Sequence, residues 1–419
     1  MRWVGLTLFL TALAQLVGSA SLVHGEGAEQ VRTFTRAVEF DFADWTLDAV
    51  WLKMQHMSLG AERYLGEREQ SELVRETVAL IHEIQNKEAE LSILHANPNP
   101  ESVSAQIEEI DAQLDQLYTQ RGFVAPIAEN ILQAQVAAVI AELGLSSAGQ
   151  TLPPLLFHST PLPWALIVSP RERIAQEANI SLETQLTLED HIAIEDSIAS
   201  AMDFSTLVVP IGGVGTYPTM VDQSSNLNWI SEVAAHEWIH NYLTLRPLGF
   251  LYAASSELTT MNETTANIAG KEIGALMIQR YYPELVPPPP VEISASSAGT
   301  ESASPPAAPV FDFRSEMHDT RVHVDELLTA GEINEAEEYM EARRLFLWDH
   351  GYIIRKLNQA YFAFYGSYAD APVGPAGEDP VGTAVRELRV RSGSLAEFIA
   401  RMARLASFAD LQELLTSLD

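Results

Sequence analysis

Between residues 29 and 145 apolar side chains recur at helical intervals, and two runs inside this stretch fall near heptad spacing. Leu73, Thr77, Leu80, Ile84, Leu91 and Leu94 form the first, while Val103, Ile107, Ile110, Leu114 and Leu117 step by four and three in the second. Ala96-Asn97-Pro98-Asn99-Pro100 lies between them. No helix passes through it, because proline lacks an amide hydrogen and its ring clashes with the preceding turn. The pattern predicts an antiparallel helical hairpin within a helical region over residues 26–148. Such a hairpin is either a packed scaffold or an arm that gates a cleft or docks a partner.

After Pro153-Pro154 the period shortens. Residues 155–158, 165–169, 180–182 and 206–211 read as short strands, with a helix over 188–202. Residues 208–218 carry glycines in a β-prone run and read as an edge strand. Gly212 and Gly213 there would let a substrate backbone approach, with Val214 and Tyr217 beside it. Helical periodicity returns around residue 229, breaks in a loop over 244–254, and resumes over 255–281, where Ser255 or Ser256 serves as N-cap. Residues 286–310, rich in Pro, Ser and Ala, form a linker or loop, and residues 311–419 are helical again. The expected fold is α+β and predominantly helical. A core with a small mixed sheet spans 149–285, and the C-terminal helices complete a cleft.

Composition narrows the function. With 57 acidic against 25 basic residues, a formal charge of -32 opposes binding to nucleic acid or anionic lipid. The absence of cysteine excludes disulfides, thiol catalysis and sulfur-ligated zinc. In residues 1–25, Arg2 precedes an apolar run and then Gly18, Ser19 and Ala20, which reads as a secretory signal or N-terminal anchor. No later stretch reads as long and apolar enough to span a bilayer. The expected location is therefore extracytoplasmic, secreted or tethered at the cell envelope.

The chemistry concentrates in His236-Glu237-Trp238-Ile239-His240. Residues four apart share a helix face, so two imidazoles can aim at one tetrahedral ion while Glu237 leans toward the open coordination position. A catalytic zinc takes three protein ligands, so a third must follow, and Glu263 sits in the second turn of the next predicted helix.

His-Glu-x-x-His followed by Glu263 in an Asn-Glu-x-x-Ala setting resembles the gluzincin zinc peptidases, over residues 205–282. The resemblance implies one zinc ion on His236, His240 and Glu263, with Glu237 as general base. A later histidine donates to the oxyanion in thermolysin-like members, which makes His318 and His323 candidates. On the following helix, Asn267 shares a face with Glu263, Gly270 and Gly274, so that it could orient a ligand while the glycines allow close packing. Arg355, Asn358, Tyr361, Tyr365 and Tyr368 fall on roughly one helical face. From there Asn358 or a tyrosine would hold the oxyanion and Arg355 a substrate carboxylate. Together these predict a peptidase acting on peptide or protein substrates. Internal or oligopeptide cutting is favoured over N-terminal trimming, because no aminopeptidase motif precedes His236, although Glu232 is available to capture an amine. The alternatives are a non-catalytic zinc-bound envelope protein that engages a partner through its hairpin, and a helical interaction protein whose motif is accidental.

Overall fold

The computed structural model describes residues 22–23, 25–95, 103–147, 149–288, 311–366 and 380–418. Nearly all of the N-terminal signal or anchor, the turn at 96–100, most of the linker at 286–310 and Tyr368 lie outside them.

The first elements are β1 (Leu22–Val23), α1 (Gly25–Thr35) and α2 (Phe42–Leu59). Asp41 starts α2 by accepting hydrogen bonds from the amides of Ala43 and Asp44. Gly60 ends it at a φ of 53°, a left-handed conformation that glycine adopts without a Cβ clash. Next come α3 (Glu67–His95) and α4 (Ser104–Glu142). Leu80 and Ile84 are buried with Ile110 and Leu114, and Leu91, Leu94 and Leu117 pack around them, so the heptad positions form the seam of the hairpin. The inner half of α4 does not project. Ile131, Leu132, Val136, Val139 and Ile140 are buried in the main core. By length and composition α4 would also cross a membrane, contrary to the expectation from sequence. In the fold 56% of its most apolar window is buried.

A ribbon of β2 (Ser146–Ser147) and β3 (Gln150–Thr151) leads to two small sheets. Their elements are β4 (Phe157–Ser159), β5 (Trp164–Pro170), β6 (Ala178–Leu182), α5 (Leu188–Ala201), β7 (Phe204–Val209), β8 (Gly213–Val214) and β9 (Thr219–Val221). The larger sheet has the antiparallel order β1-β6-β5-β7. The smaller has the order β4-β9-β8, with β4 parallel and β8 antiparallel to β9. Residues 208–218 are therefore not one strand. Val208 and Val209 end β7, Pro210 has no amide hydrogen with which to continue the ladder, and the chain crosses to become β8, the edge of the other sheet.

Then follow α6 (Leu227–Leu243), α7 (Pro247–Phe250) and α8 (Ser256–Tyr281), the last capped by Ser255 Oγ, which accepts from the amide of Leu258. The long helices α6 and α8 pack directly together at the centre of the core. Gly270 and Gly274 make this approach possible. A Cβ at Gly270 would lie 2.8 Å from Glu232 O and 2.9 Å from His236 Cβ, and one at Gly274 would lie 2.9 Å from Glu232 N. Because backbone atoms form much of this contact, Gly270→Val must push the two helices apart. We expect a loss of about 1–3 kcal/mol, measured as a lower midpoint in urea, together with weaker metal binding.

The C-terminal helices divide between two cores. α9 (Phe313–Thr329), α10 (Ile333–Asp349) and α11 (Gln359–Gly366) bury Met317, Met340 and Phe362 against Ala165, Ile167, Leu207 and Val209 of the larger sheet. α12 (Pro380–Val390), α13 (Leu395–Met402) and α14 (Phe408–Ser417) join the main core beside α8, and Arg389 makes two 2.7 Å bonds to Glu272. The architecture is α+β and predominantly helical, with the α6–α8 pair held between the hairpin, the small sheet and α12–α14.

Candidate metal centre

Asn226 sets the start of α6 by accepting from the amide of Trp229 (3.2 Å), and Trp238 anchors the helix by donating its indole N–H to Pro153 O (2.9 Å). On the face toward α8, the Nε2 atoms of His236 and His240 lie 3.0 Å apart. Glu263 Oε2 lies 3.6 Å from each. A tetrahedral ion with bonds of about 2.0–2.1 Å separates its ligand atoms by roughly 3.3–3.4 Å. The three side chains thus form a group that could hold a metal ion. The donor chemistry agrees. Glu263 Oε2 is buried without a hydrogen-bond partner, a costly state for a carboxylate oxygen unless a cation sits against it.

Electrostatics favours positive charge at the same point. Burial works against a charged His240, but the Glu263 carboxylate outweighs it and pushes the imidazole pKa up to about 9. Burial likewise opposes ionisation of Glu263, yet attraction from the two imidazoles, His240 foremost, holds its carboxyl far below the usual range.

The surrounding partners fix these orientations. His240 Nδ1–H donates to Asn262 Oδ1 (2.8 Å), and Asn262 Nδ2 donates to Leu248 O (3.2 Å), which fixes the amide's direction and turns the Nε2 lone pair toward the centre. Tyr252 donates its hydroxyl to Glu263 Oε1, leaving Oε2 to face the imidazoles. Tyr252→Phe should therefore weaken metal affinity by about 10- to 100-fold, as read by competition with a chromophoric chelator; unchanged affinity would remove Tyr252 from this role.

A cavity of about 130 Å³ opens beside the three ligands, and Glu237, Gly213, Val214 and Gly215 line it. Glu237 is buried, which raises its pKa against the attraction of the two histidines. The backbone of β8 lies against its carboxyl, since a Cβ at Gly213 would stand 2.8 Å from Glu237 Cδ. Asn241 Nδ2 donates to Thr216 O (3.1 Å) and so ties the β8–β9 turn to α6.

Other residues expected at the site sit elsewhere. Gly212 packs against the Trp229 ring, and Tyr217 donates its hydroxyl to Pro154 O (3.1 Å), neither lining the cavity. Asn267 is half-buried and lies outside the cavity; the amide that holds a ligand histidine is Asn262. Arg355 and Asn358 do not continue a helical face with the tyrosines, because α11 begins at Gln359. Asn358 caps it, accepting from the amide of Tyr361 (3.0 Å) and donating to Thr206 O (3.0 Å). The Arg355 guanidinium is committed to the buried Glu195, with bonds of 3.0 and 2.6 Å, and so is not free for a substrate carboxylate. Tyr361 and Tyr365 pack against one another with tilted rings, centroids 4.5 Å apart, in the core beneath the larger sheet, and α11 turns Phe364 to the cavity instead. His318 on α9 does not line the cavity, and His323 is exposed, pairing with Glu326 at 3.2 Å and packing on Tyr339. The residues that sequence reasoning missed are Asn262, Tyr252 and Phe364. Asn262 adjoins Glu263 and Tyr252 lies in the loop leading back to it, so position along the chain was the available signal.

Comparison with protein-family models, with curated proteins and with solved structures finds no match to this chain.

Proposed function

We propose that this protein is a zinc-dependent peptidase of the gluzincin type that acts outside the cytoplasm. The observation that carries the reading is the meeting of three convergent ligands, a buried glutamate and a strand edge in one cavity. Two imidazoles and one carboxylate, with no sulfur, are a donor set typical of catalytic rather than structural zinc, and they leave a fourth position open. Zinc held there would polarise a carbonyl and lower the pKa of bound water to about 7.

The chain's own residues supply the remaining roles. Glu237 faces the cavity from the ligand helix, placed to take the proton of the attacking water and pass it to the leaving amine. Burial raises its proton affinity, which suits a base that must also act as an acid. The edge strand β8 borders the cavity, and an extended substrate backbone can run along it, while the missing Cβ atoms of Gly213 and Gly215 make room for Glu237 and His240. Glu232, the acidic residue available to capture a substrate amine, lies against Gly270 and Gly274 through its backbone and does not line the cavity. That favours an endopeptidase or oligopeptidase over trimming from the amine end.

Mass-spectrometric cleavage profiling of a mixed peptide library tests this reading, with the protein assayed as purified, after chelation, and after zinc is restored. Cleavage at internal bonds that is lost and regained with the metal supports it. A zinc-loaded protein that cuts nothing would overturn it in favour of a metal-bound binding protein.

A further inference from the structure

A second cavity, of about 340 Å³, lies between α2, α3, α4, β4 and the start of α6, and shares no lining residue with the metal centre. Its walls are mainly apolar, with Leu52, Val74, Ile81, Ala125, Leu132 and Phe157 among them. The cavity is partly open to solvent and lined mainly by apolar side chains with a few polar groups, the usual form of a small-molecule site. Apolar cavities of about 150 Å³ take benzene, so this one holds an aliphatic chain of roughly ten to twelve carbons, within the size range of small-molecule sites.

The charged groups on its wall define the other end of the occupant. Glu129, the one carboxylate there, is already matched. Its Oε2 lies 2.5 Å from Lys53 Nζ and 3.3 Å from His158 Nδ1, and its Oε1 accepts from the amide of Ser159 (3.1 Å). Arg121 is not matched in this way. It donates through Nη1 to the neutral Gln223 Oε1 (2.9 Å) and stacks over the Tyr118 ring, and among the described residues no carboxylate pairs with it. In a chain with 57 acidic and 25 basic residues, an arginine left without a carboxylate at the wall of an apolar cavity is a local reversal of sign. His56 and His158 lie on the same wall, and His158 turns Nδ1 to Glu129, which leaves Nε2 as its other polar atom. Arg121 adjoins the exposed Gly122, so the cationic end is the solvent end.

We propose that this cavity binds a medium-chain fatty acid, its acyl chain enclosed by α2, α3, α4 and β4 and its carboxylate held by Arg121 at the mouth. A planar carboxylate matches the guanidinium fork. A two-chain phospholipid exceeds the volume, and a cationic amphiphile meets Arg121 head-on. The proposal is independent of the metal centre and of any peptidase activity.

Isothermal titration of the full chain with dodecanoate below its micelle concentration tests it, with decyltrimethylammonium as the cationic control and the variants Arg121→Gln and Ala125→Phe. Saturable binding at one site per chain is expected. Arg121→Gln should weaken it by about tenfold or more. Ala125→Phe, which fills the cavity from α4, should abolish it while the thermal midpoint stays equal or rises. Absence of saturable dodecanoate binding by the native chain would overturn the proposal. So would undiminished affinity in Arg121→Gln, or a cationic control that binds as tightly. Should Ala125→Phe fail to fold, the Arg121→Gln comparison alone decides.

Discussion

Glu237→Gln is expected to cut peptide turnover by about 10²- to 10⁴-fold, the range contributed by a positioned general acid and base, while metal content and thermal midpoint hold. The amide has the shape of the carboxylate, so the contact with Gly213 survives and β8 keeps its place over the site. What disappears is the ability to accept a proton, and with it a buried charge that the fold must otherwise accommodate. The contrast with Glu263→Ala isolates the role. There a carboxylate whose Oε2 stands 3.6 Å from both imidazoles is removed, so metal and turnover should be lost together. Parallel measurement of cleavage rate and metal stoichiometry separates the two cases. Turnover by Glu237→Gln at the native rate, with metal bound, would sink the proposed mechanism.

Local geometry decided what could be read in advance. The spacing of His236 and His240 needs only the helical period, and the hairpin seam at Leu80, Ile84, Ile110 and Leu114 needs only the heptad, so both follow from the chain alone. Asn262 and Asn267 could not be told apart this way. The rotation of α8 toward α6 is set by the contact of Gly270 and Gly274 with the backbone around Glu232, and that contact brings Asn262 to His240. Arg355 was misread for a related reason. Its partner Glu195 lies 160 positions away on α5, and no periodicity near residue 355 carries that information. Asn358 is polar because it caps a helix, and Tyr361 and Tyr365 are core residues with a phenol edge rather than a catalytic row. Tyr252 reaches Glu263 from a loop, where side-chain direction depends on a path that sequence does not specify.

Lys53→Met is expected to destabilise the fold by about 3–5 kcal/mol at neutral pH, because it strands a buried carboxylate without its cation. Lys53 and Glu129 are both buried and lie 2.5 Å apart, bridging α2 to the inner half of α4. Burial opposes charge on Glu129, but Lys53, with help from His158, brings its pKa down from 4.5 to about 2. A folded pKa below the unfolded one stabilises the fold above the unfolded value. By linkage this contribution is about 3 kcal/mol, present in full above about pH 5 and lost as the pH falls through 4.5 toward 2. In Lys53→Met the sign reverses. With its main attraction gone, burial lifts the folded pKa of Glu129 above the unfolded one, so the variant suffers most at neutral pH and recovers as Glu129 takes a proton. The gap between native and variant chains, measured by urea unfolding at pH 7, 5 and 3, should therefore narrow steadily on acidification, even though both lose stability through their many other carboxylates. Adding Glu129→Gln to Lys53→Met should restore much of the loss at pH 7, because the uncompensated charge is then gone. A gap independent of pH would show that Lys53 matters for its methylene packing and not for its charge.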